Sequence, residues 1–437
     1  MPRLAAPRAL APLRQRGFRL LTIGQVTSNV GDACYAVALP WYVLAAHGGV
    51  LLLGTVLAAY GVPRTALIAV GGYASDRWRP QTVMMATDAA RALALAALAL
   101  TAATGPARAV VLVPIAVVIG AGEGLFLPGS FSIIPSLLSG DDLQAGNALA
   151  SSGTQLATLA GPAVGGALVI LAGPSLVFGL DALSFVVSAV TLAGLPGPAV
   201  LGPAVLGPRP TADPAPGPET TVGPAPTLLG LLRSERVLQI ILLVNVAANL
   251  GMGGQSEVAL PALVHGPLHA GASGYGAVLA AFGGGALLGT IAAGQLGRLR
   301  RPVIVGSLAF LAEAACIAVV PYLGATAAVA AAMAGLGIMN GFGNVLTITA
   351  FQRWAPPSAL GRLAGLLTLT SFGVFPISVA LAALVVRHWG PTPFFLLAAV
   401  TLTVAILAGL SQRAWRDFGA PAPATPESAI NLEGQPV

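Results

Sequence analysis

The chain alternates long apolar runs with short charged breaks along nearly its whole length. A helix needs about 20 apolar residues to cross a bilayer. Twelve stretches approach or exceed that length: 20–45, 51–75, 81–103, 109–135, 146–171, 175–195, 237–262, 272–296, 303–322, 325–350, 363–386 and 393–410. The break Gly72-Tyr73-Ala74-Ser75-Asp76-Arg77-Trp78-Arg79-Pro80 returns 222 residues later as Gly294-Gln295-Leu296-Gly297-Arg298-Leu299-Arg300-Arg301-Pro302. A second echo links the first and seventh spans. Asn29-x-Gly31 precedes Ala38-Leu39-Pro40 in one, and Asn249-x-Gly251 precedes Ala259-Leu260-Pro261 in the other. Two echoes at nearly one offset predict a duplicated chain. The expected fold is an all-α membrane protein with twelve transmembrane helices in two parallel six-helix repeats.

Composition supports this reading. The 437 residues are 56% hydrophobic and 8% charged, with a mean hydropathy of +0.85, whereas soluble domains carry about 25% charged residues. All 21 basic residues are Arg, and 17 of them fall before the first span, in alternate loops or in the tail. Only Arg108 and Arg387 occupy the opposite side. The positive-inside rule therefore predicts a multi-pass protein of the plasma membrane with both termini cytoplasmic. Division of the arginines among loops, with no single basic stripe, argues against nucleic acid as a partner. The expected partners are the lipid bilayer and a small organic molecule, with the chain acting as a monomer. The Arg-rich start is followed by too long an apolar run for a cleaved signal peptide and reads as a retained first span. Cys34 and Cys316 lie one per half, inside spans, so neither a disulfide framework nor a metal cluster is expected.

The expected domains are a cytoplasmic segment at 1–19, a first six-helix bundle at 20–195, a linker at 196–236, a second bundle at 237–411 and a disordered tail at 412–437. The linker rests on ten prolines between residues 196 and 230, including the tandem Gly197-Pro198-Ala199-Val200-Leu201-Gly202-Pro203-Ala204-Val205-Leu206-Gly207-Pro208. Such a composition favours a semi-rigid extended spacer.

Twelve spans, a charged turn after spans 2 and 8 and a long central loop resemble the major facilitator superfamily of secondary transporters, over residues 14–416. Its turn motif, G-x-x-x-D-R-x-G-R-R, is matched by Gly72, Asp76, Arg77 and Arg79, with a second Gly and one basic residue missing. Gly161-Pro162-x-x-Gly165-Gly166 resembles the core of the antiporter motif in drug-exporting branches, although Ala157 stands where the fuller pattern has Gly. Gly31-Asp32, Asp88-x-x-Arg91, Asn147-Ala148, Gln155 and Gly361-Arg362 resemble the branch of enterobactin exporters and macrolide-efflux proteins. The resemblance implies a proton-coupled exporter of drugs, antibiotics or secondary metabolites. It needs no cofactor and draws on the proton gradient. An uptake symporter or facilitator, and a non-transporting membrane scaffold, are the alternatives. Enzyme activity is not expected: His47, His265, His269 and His388 sit at span ends, away from any nucleophile, and without Lys no Walker motif can form.

A site in this fold lies near the bilayer midplane between the halves, so depth selects among the charges. At about 1.5 Å per residue, Asp32 lies about 20 Å along its helix from Arg19, and Arg64 about 18 Å from Asp76. Ionisable residues at mid-membrane cost about 2.5–3.5 kcal/mol or more and are functional candidates. Asp32 and Arg64 are expected to neutralise one another, either as a fixed bridge or as a pair that opens when Asp32 takes a proton. Glu123, flanked by Gly122 and Gly124, is a second proton-exchanging carboxyl or a satisfied interhelical partner. Glu257, about 31 Å from Arg236, is expected near the outer mouth, as a gate or an interfacial residue. Asp88 and Arg91, three residues apart on one helix face, are expected to pair locally, and Glu313 and Asp181 to serve structure. Gly72, Asp76, Arg77 and Arg79 are expected to act in conformational switching. Gly161, Pro162, Gly165 and Gly166 are expected to form a bend and a packing face. Tyr35, Tyr60, Phe126, Phe131, Tyr275, Phe282 and Phe342 are candidate cavity aromatics.

Overall fold

In lipid every backbone polar group must find its partner within the segment, and each apolar run in the computed structural model accordingly folds as a helix. Residues 8–46, 48–138, 141–195, 232, 234–295, 299–354 and 360–418 are described. The helices are α1 (Arg16–Ala45), α2 (Gly49–Trp78), α3 (Pro80–Thr104), α4 (Ala109–Leu137), α5 (141–172), α6 (174–193), α7 (Arg236–His265), α8 (Ala272–Gln295), α9 (Pro302–Val319), α10 (Thr326–Trp354), α11 (Leu360–Trp389) and α12 (Thr392–Ser411). Ten stretches among the described residues are long and apolar enough to span a bilayer by composition alone. Twelve crossings follow because Leu149–Ala193 is two spans and because α1 is 30 residues long despite carrying Gln25, Ser28, Asn29 and Asp32.

Gly173 divides α5 from α6, with φ 79° and ψ 169°, a region that side-chain-bearing residues occupy at a cost of about 1–3 kcal/mol. A Cβ there would meet nothing within 4 Å, so backbone strain is the only cost of adding one. Gly173→Ala should lower the thermal unfolding temperature in detergent, whereas Gly179→Ala, equally uncrowded but helical, should not. Equal melting of the two variants would refute this account of the bend.

The repeat is visible in the packing. In the first half α1 lies against α5, α2 against α4, and α3 against α4 and the α5–α6 stretch. In the second half α7 lies against α11 and α12, α8 against α10, and α9 against α10 and α12. The halves meet through α2 on α11 and α5 on α8, two contacts that exchange under the internal two-fold.

Two expectations need correction. The break after α2 is shorter than a turn: the helix runs on to Trp78 and α3 starts at Pro80, leaving Arg79 alone between them at φ 71°. The segment after α12 is ordered as far as Phe418. Arg413–Arg416 is helical, the Trp415 indole N–H donates to Ser307 Oγ at 3.1 Å, and Trp415 stacks on Phe418. The expected tail beyond 418, nearly all of the expected linker, and Arg298 in the second charged break lie outside the described residues.

Candidate functional site

Close approach of α2 and α4 builds the first half of the site. A Cβ on Gly124 would collide with the Arg64 carbonyl oxygen, so only glycine lets the two backbones come together at this level. Arg64 Nη2 then lies 2.6 Å from Glu123 Oε1, and the Tyr60 hydroxyl donates to Glu123 Oε2. The Arg64 guanidinium also stacks 4.0 Å from the centre of the Phe372 ring on α11, a cation–π contact that crosses between the halves. Thr65 Oγ1 donates to the Phe372 carbonyl at 2.9 Å beside it.

Asp32 on α1 is held by Arg91 of α3, whose Nη2 lies 3.2 Å from Oδ1 and 3.4 Å from Oδ2. Gly122 leaves room for the Arg91 stem, because a Cβ there would come within 2.7 Å of Arg91 Cγ, and Phe185 supports the guanidinium at 3.9 Å. The two partners differ in access: the Asp32 side chain is 42% exposed and that of Arg91 5%.

The expected pairings are therefore crossed. Arg64 binds Glu123, not Asp32, and Arg91 binds Asp32, not Asp88. Asp88 and Arg91 share a helix face, but the long arginine reaches across to α1, while Asp88 is fully buried and joins no ion pair among the described residues. Glu257 also moves. It faces Asp32, Arg64, Arg91 and Glu123 across one cavity of about 230 Å³. It sits in a π-helical turn, Gln255–Ala259, a local widening of the kind found at functional positions.

Two larger spaces adjoin. One of about 390 Å³ shares Asp32 and Glu257 and is walled by Met252, Leu279, Phe282 and Met333, with Thr154, Thr158 and Ser256 as hydroxyls. The other, of about 540 Å³, lies within the second half and shares Met252 and Ser256. Volumes of this order hold drug-sized ligands. Of the expected aromatics, Tyr35, Tyr60 and Phe282 line these spaces. Tyr275 is buried in packing and Phe131 is outwardly exposed. Phe375, Phe310 and Trp415, unremarked in the sequence, also line them.

The span 5 motif is a two-sided packing face. Gly165 would bring a Cβ within 2.7 Å of Cys34 Cα on α1, and Gly161 also faces α1, at Ala33. Gly166 would bring one within 2.6 Å of the Ala272 carbonyl oxygen at the start of α8, while the Pro162 carbonyl abuts Gly276. Gly54 on Ala383, Gly61 on Phe375 and the Trp41–His265 ring pair at 5.0 Å add contacts between the halves in the portion of the molecule away from the Arg-rich loops. Thr154 and Thr158 of α5, which border the space of about 390 Å³, stay exposed nearer the Arg-rich loops. In the charged break Arg77 and Arg79 are exposed and Gly72 is uncrowded, while the Asp76 side chain lies outside the described residues. No cluster of metal-ligating side chains occurs among the described residues.

Residues 7–420 match the family described as transmembrane secretion effector. The chain belongs to this family of the major facilitator superfamily. It is similar to an uncharacterized MFS-type transporter, y4rN, of Sinorhizobium fredii, at 25% identity over 402 residues covering 90% of this chain and 94% of the relative. Among solved structures it is similar to the nucleoside transporter NupG, at 14% identity and a TM-score of 0.66, covering 90% of this chain and 99% of that one. The peptide transporter POT gives 16% identity and a TM-score of 0.67, with 93% and 96% covered. A bacterial homologue of the iron transporter ferroportin in an inward-facing state gives 16% and 0.65, with 93% and 99% covered. The solved structures share the fold, and membership of the family makes the chain a multi-pass membrane transporter of the major facilitator type and not an enzyme.

Proposed function

We propose that this major facilitator protein is a proton-coupled exporter of amphipathic organic compounds, such as drugs, antibiotics or secondary metabolites, in the branch of the enterobactin exporters and macrolide-efflux proteins. It works by alternating access in the plasma membrane with both termini cytoplasmic, and the conformation described is the inward-open one. One observation carries the reading. Asp32 is 42% exposed and borders both the inner cavity and the wider space of about 390 Å³, while its partner Arg91 is 5% exposed and borders the inner cavity alone, so the carboxylate can exchange a proton with the Arg-rich side without disturbing the packing behind it. Protonation releases Arg91 and removes the tie between α1 and α3. The apolar wall of Met252, Leu279, Phe282 and Met333 suits an amphipathic cargo, and the family's description as secretion effectors favours outward movement.

The test uses inverted membrane vesicles with an acidic interior and a panel of amphipathic fluorescent dyes. Wild-type protein should accumulate dye in proportion to the imposed gradient. Asp32→Asn should lose that gradient-driven accumulation by at least about tenfold, which corresponds to about 1.4 kcal/mol of coupling, while retaining passive equilibration. Accumulation indifferent to both gradient and substitution would reject proton coupling. Accumulation confined to right-side-out vesicles would reject export.

A further inference from the structure

The second half carries a charge that this coupling scheme does not use. Glu313, in the middle of α9, stands 222 residues after Arg91, so the repeat sets a carboxylate where the first half has a guanidinium. It is 2% exposed. Its Oε1 accepts from Asn340 Nδ2 at 3.1 Å, whereas its Oε2 is buried without a hydrogen-bond partner. Among the described residues no cation forms an ion pair with it. A buried carboxylate oxygen left without a partner costs free energy, and a positively charged donor would satisfy both the oxygen and the charge.

Glu313 lines the cavity of about 540 Å³ together with Asn249, Asn344 and Thr347, and two of its asparagines have their donors already engaged. Asn249 spends its amide N–H groups on the Asn245 carbonyl at 2.8 Å and on neighbouring oxygens. Asn344 spends its own on the Asn340 carbonyl at 3.0 Å and the Asn340 side-chain oxygen at 3.1 Å. The amide oxygens of Asn249 and Asn344 receive no donor among the described residues, and Thr347 Oγ1 is buried without a partner. Among the described residues the chamber is thus rich in acceptors, holds one carboxylate and has no cation in its lining. An ammonium group has three donors, one positive charge and no acceptor, which is the complement of that set. Met252 and Ser256 border both this chamber and the central one, so a ligand can rest its apolar body on the Phe282 side while its polar end enters here.

We propose that this chamber is a second ligand subsite that takes the ammonium group of an amphipathic amine, with Glu313 as counter-ion and the Asn249 and Asn344 amide oxygens as further acceptors. It rests on the reading of the chain as a carrier of amphipathic compounds and narrows that cargo to amines.

The test measures binding of two probes that share a fluorophore, dansylcadaverine with its primary ammonium and N-butyl dansylamide without charge, to the full chain in nanodiscs of zwitterionic lipid. Wild-type protein should bind the amine at least about tenfold more tightly, the effect of one charged hydrogen bond. Glu313→Gln should erase that preference and leave the neutral probe within about twofold of its wild-type affinity, so little that the change is below a surface-level effect. Equal binding of the probes by wild type, a preference that survives Glu313→Gln, or a preference lost in Glu257→Gln instead would each overturn the subsite while leaving the carrier reading intact. Failure of wild type to bind either probe would sink the carrier reading and the subsite with it. If Glu313→Gln binds neither probe, Asn344→Leu decides, because Asn344 is exposed to the cavity: the amine should weaken and the neutral probe should not, and an unchanged preference there overturns the proposal.

Discussion

Glu123→Ala is expected to destabilise the protein by about 1–3 kcal/mol, below the loss for a fully buried pair because Arg64 and Glu123 are 17% and 21% exposed. The size follows from what is left behind. Arg64 would keep its charge between Tyr60 and Phe372 with its carboxylate partner gone, and the Tyr60 hydroxyl would lose its acceptor. Glu123→Gln keeps the Tyr60 acceptor and should cost less. The double variant Arg64→Met with Glu123→Leu should recover most of the loss, since apolar replacements of a buried pair are often neutral or better. Denaturant unfolding in detergent, read by tryptophan fluorescence, measures all three. A Glu123→Ala protein as stable as wild type would mean that the pair is solvated through the cavity and holds nothing together.

The second large effect concerns the balance of conformations. Gly166→Ala should shift the protein away from the conformation described by about 1–3 kcal/mol, the ordinary cost of overpacking, or roughly five- to 150-fold in population. The new methyl would press on the Ala272 carbonyl oxygen and the Ser273 backbone at 2.6 and 3.1 Å, neither of which can yield without parting α5 from α8. Gly165→Ala meets α1 of its own half instead, so it should lower stability without moving this equilibrium. The measurement is the distance between spin labels at Leu171 and Tyr322, both exposed and in different halves at the end away from the Arg-rich loops, in a cysteine-free background. Gly166→Ala should lengthen the distribution, and Gly294→Ala, which meets nothing within 4 Å, should leave it alone. An unchanged distribution in Gly166→Ala would show that the α5–α8 contact does not hold that end shut.

The architecture could be read from the sequence because two of its causes are local. Run length fixes the spans, and the 222-residue echo fixes the repeat, down to the two-fold exchange of the α2–α11 and α5–α8 contacts. The site was legible only as a set of residues. Asp32, Arg64, Glu123 and Glu257 do line one cavity, yet their partners depend on helix rotation and side-chain reach, which spacing along one helix does not carry. Spacing along α3 therefore pairs Arg91 with Asp88, whereas Gly122 admits its stem across to Asp32. Counting from Arg236 alone sets Glu257 near the outer mouth. The repeat is the better ruler, because Met252 stands opposite Asp32 and leaves Glu257 only five residues, about 8 Å, further along.

The joint at Arg79 has a mechanical consequence. With a single residue between Trp78 and Pro80, held at positive φ, α2 and α3 have no slack with which to slide past one another along their axes. α2 touches the opposite half at Phe372 and Ala383, while α3 carries the arginine that grips Asp32. A shift of α2 against the opposite half is therefore carried through Arg79 to α3 and pulls Arg91 against the Asp32 carboxylate. A one-residue joint thus ties the seam between the halves to an ion pair in the cavity.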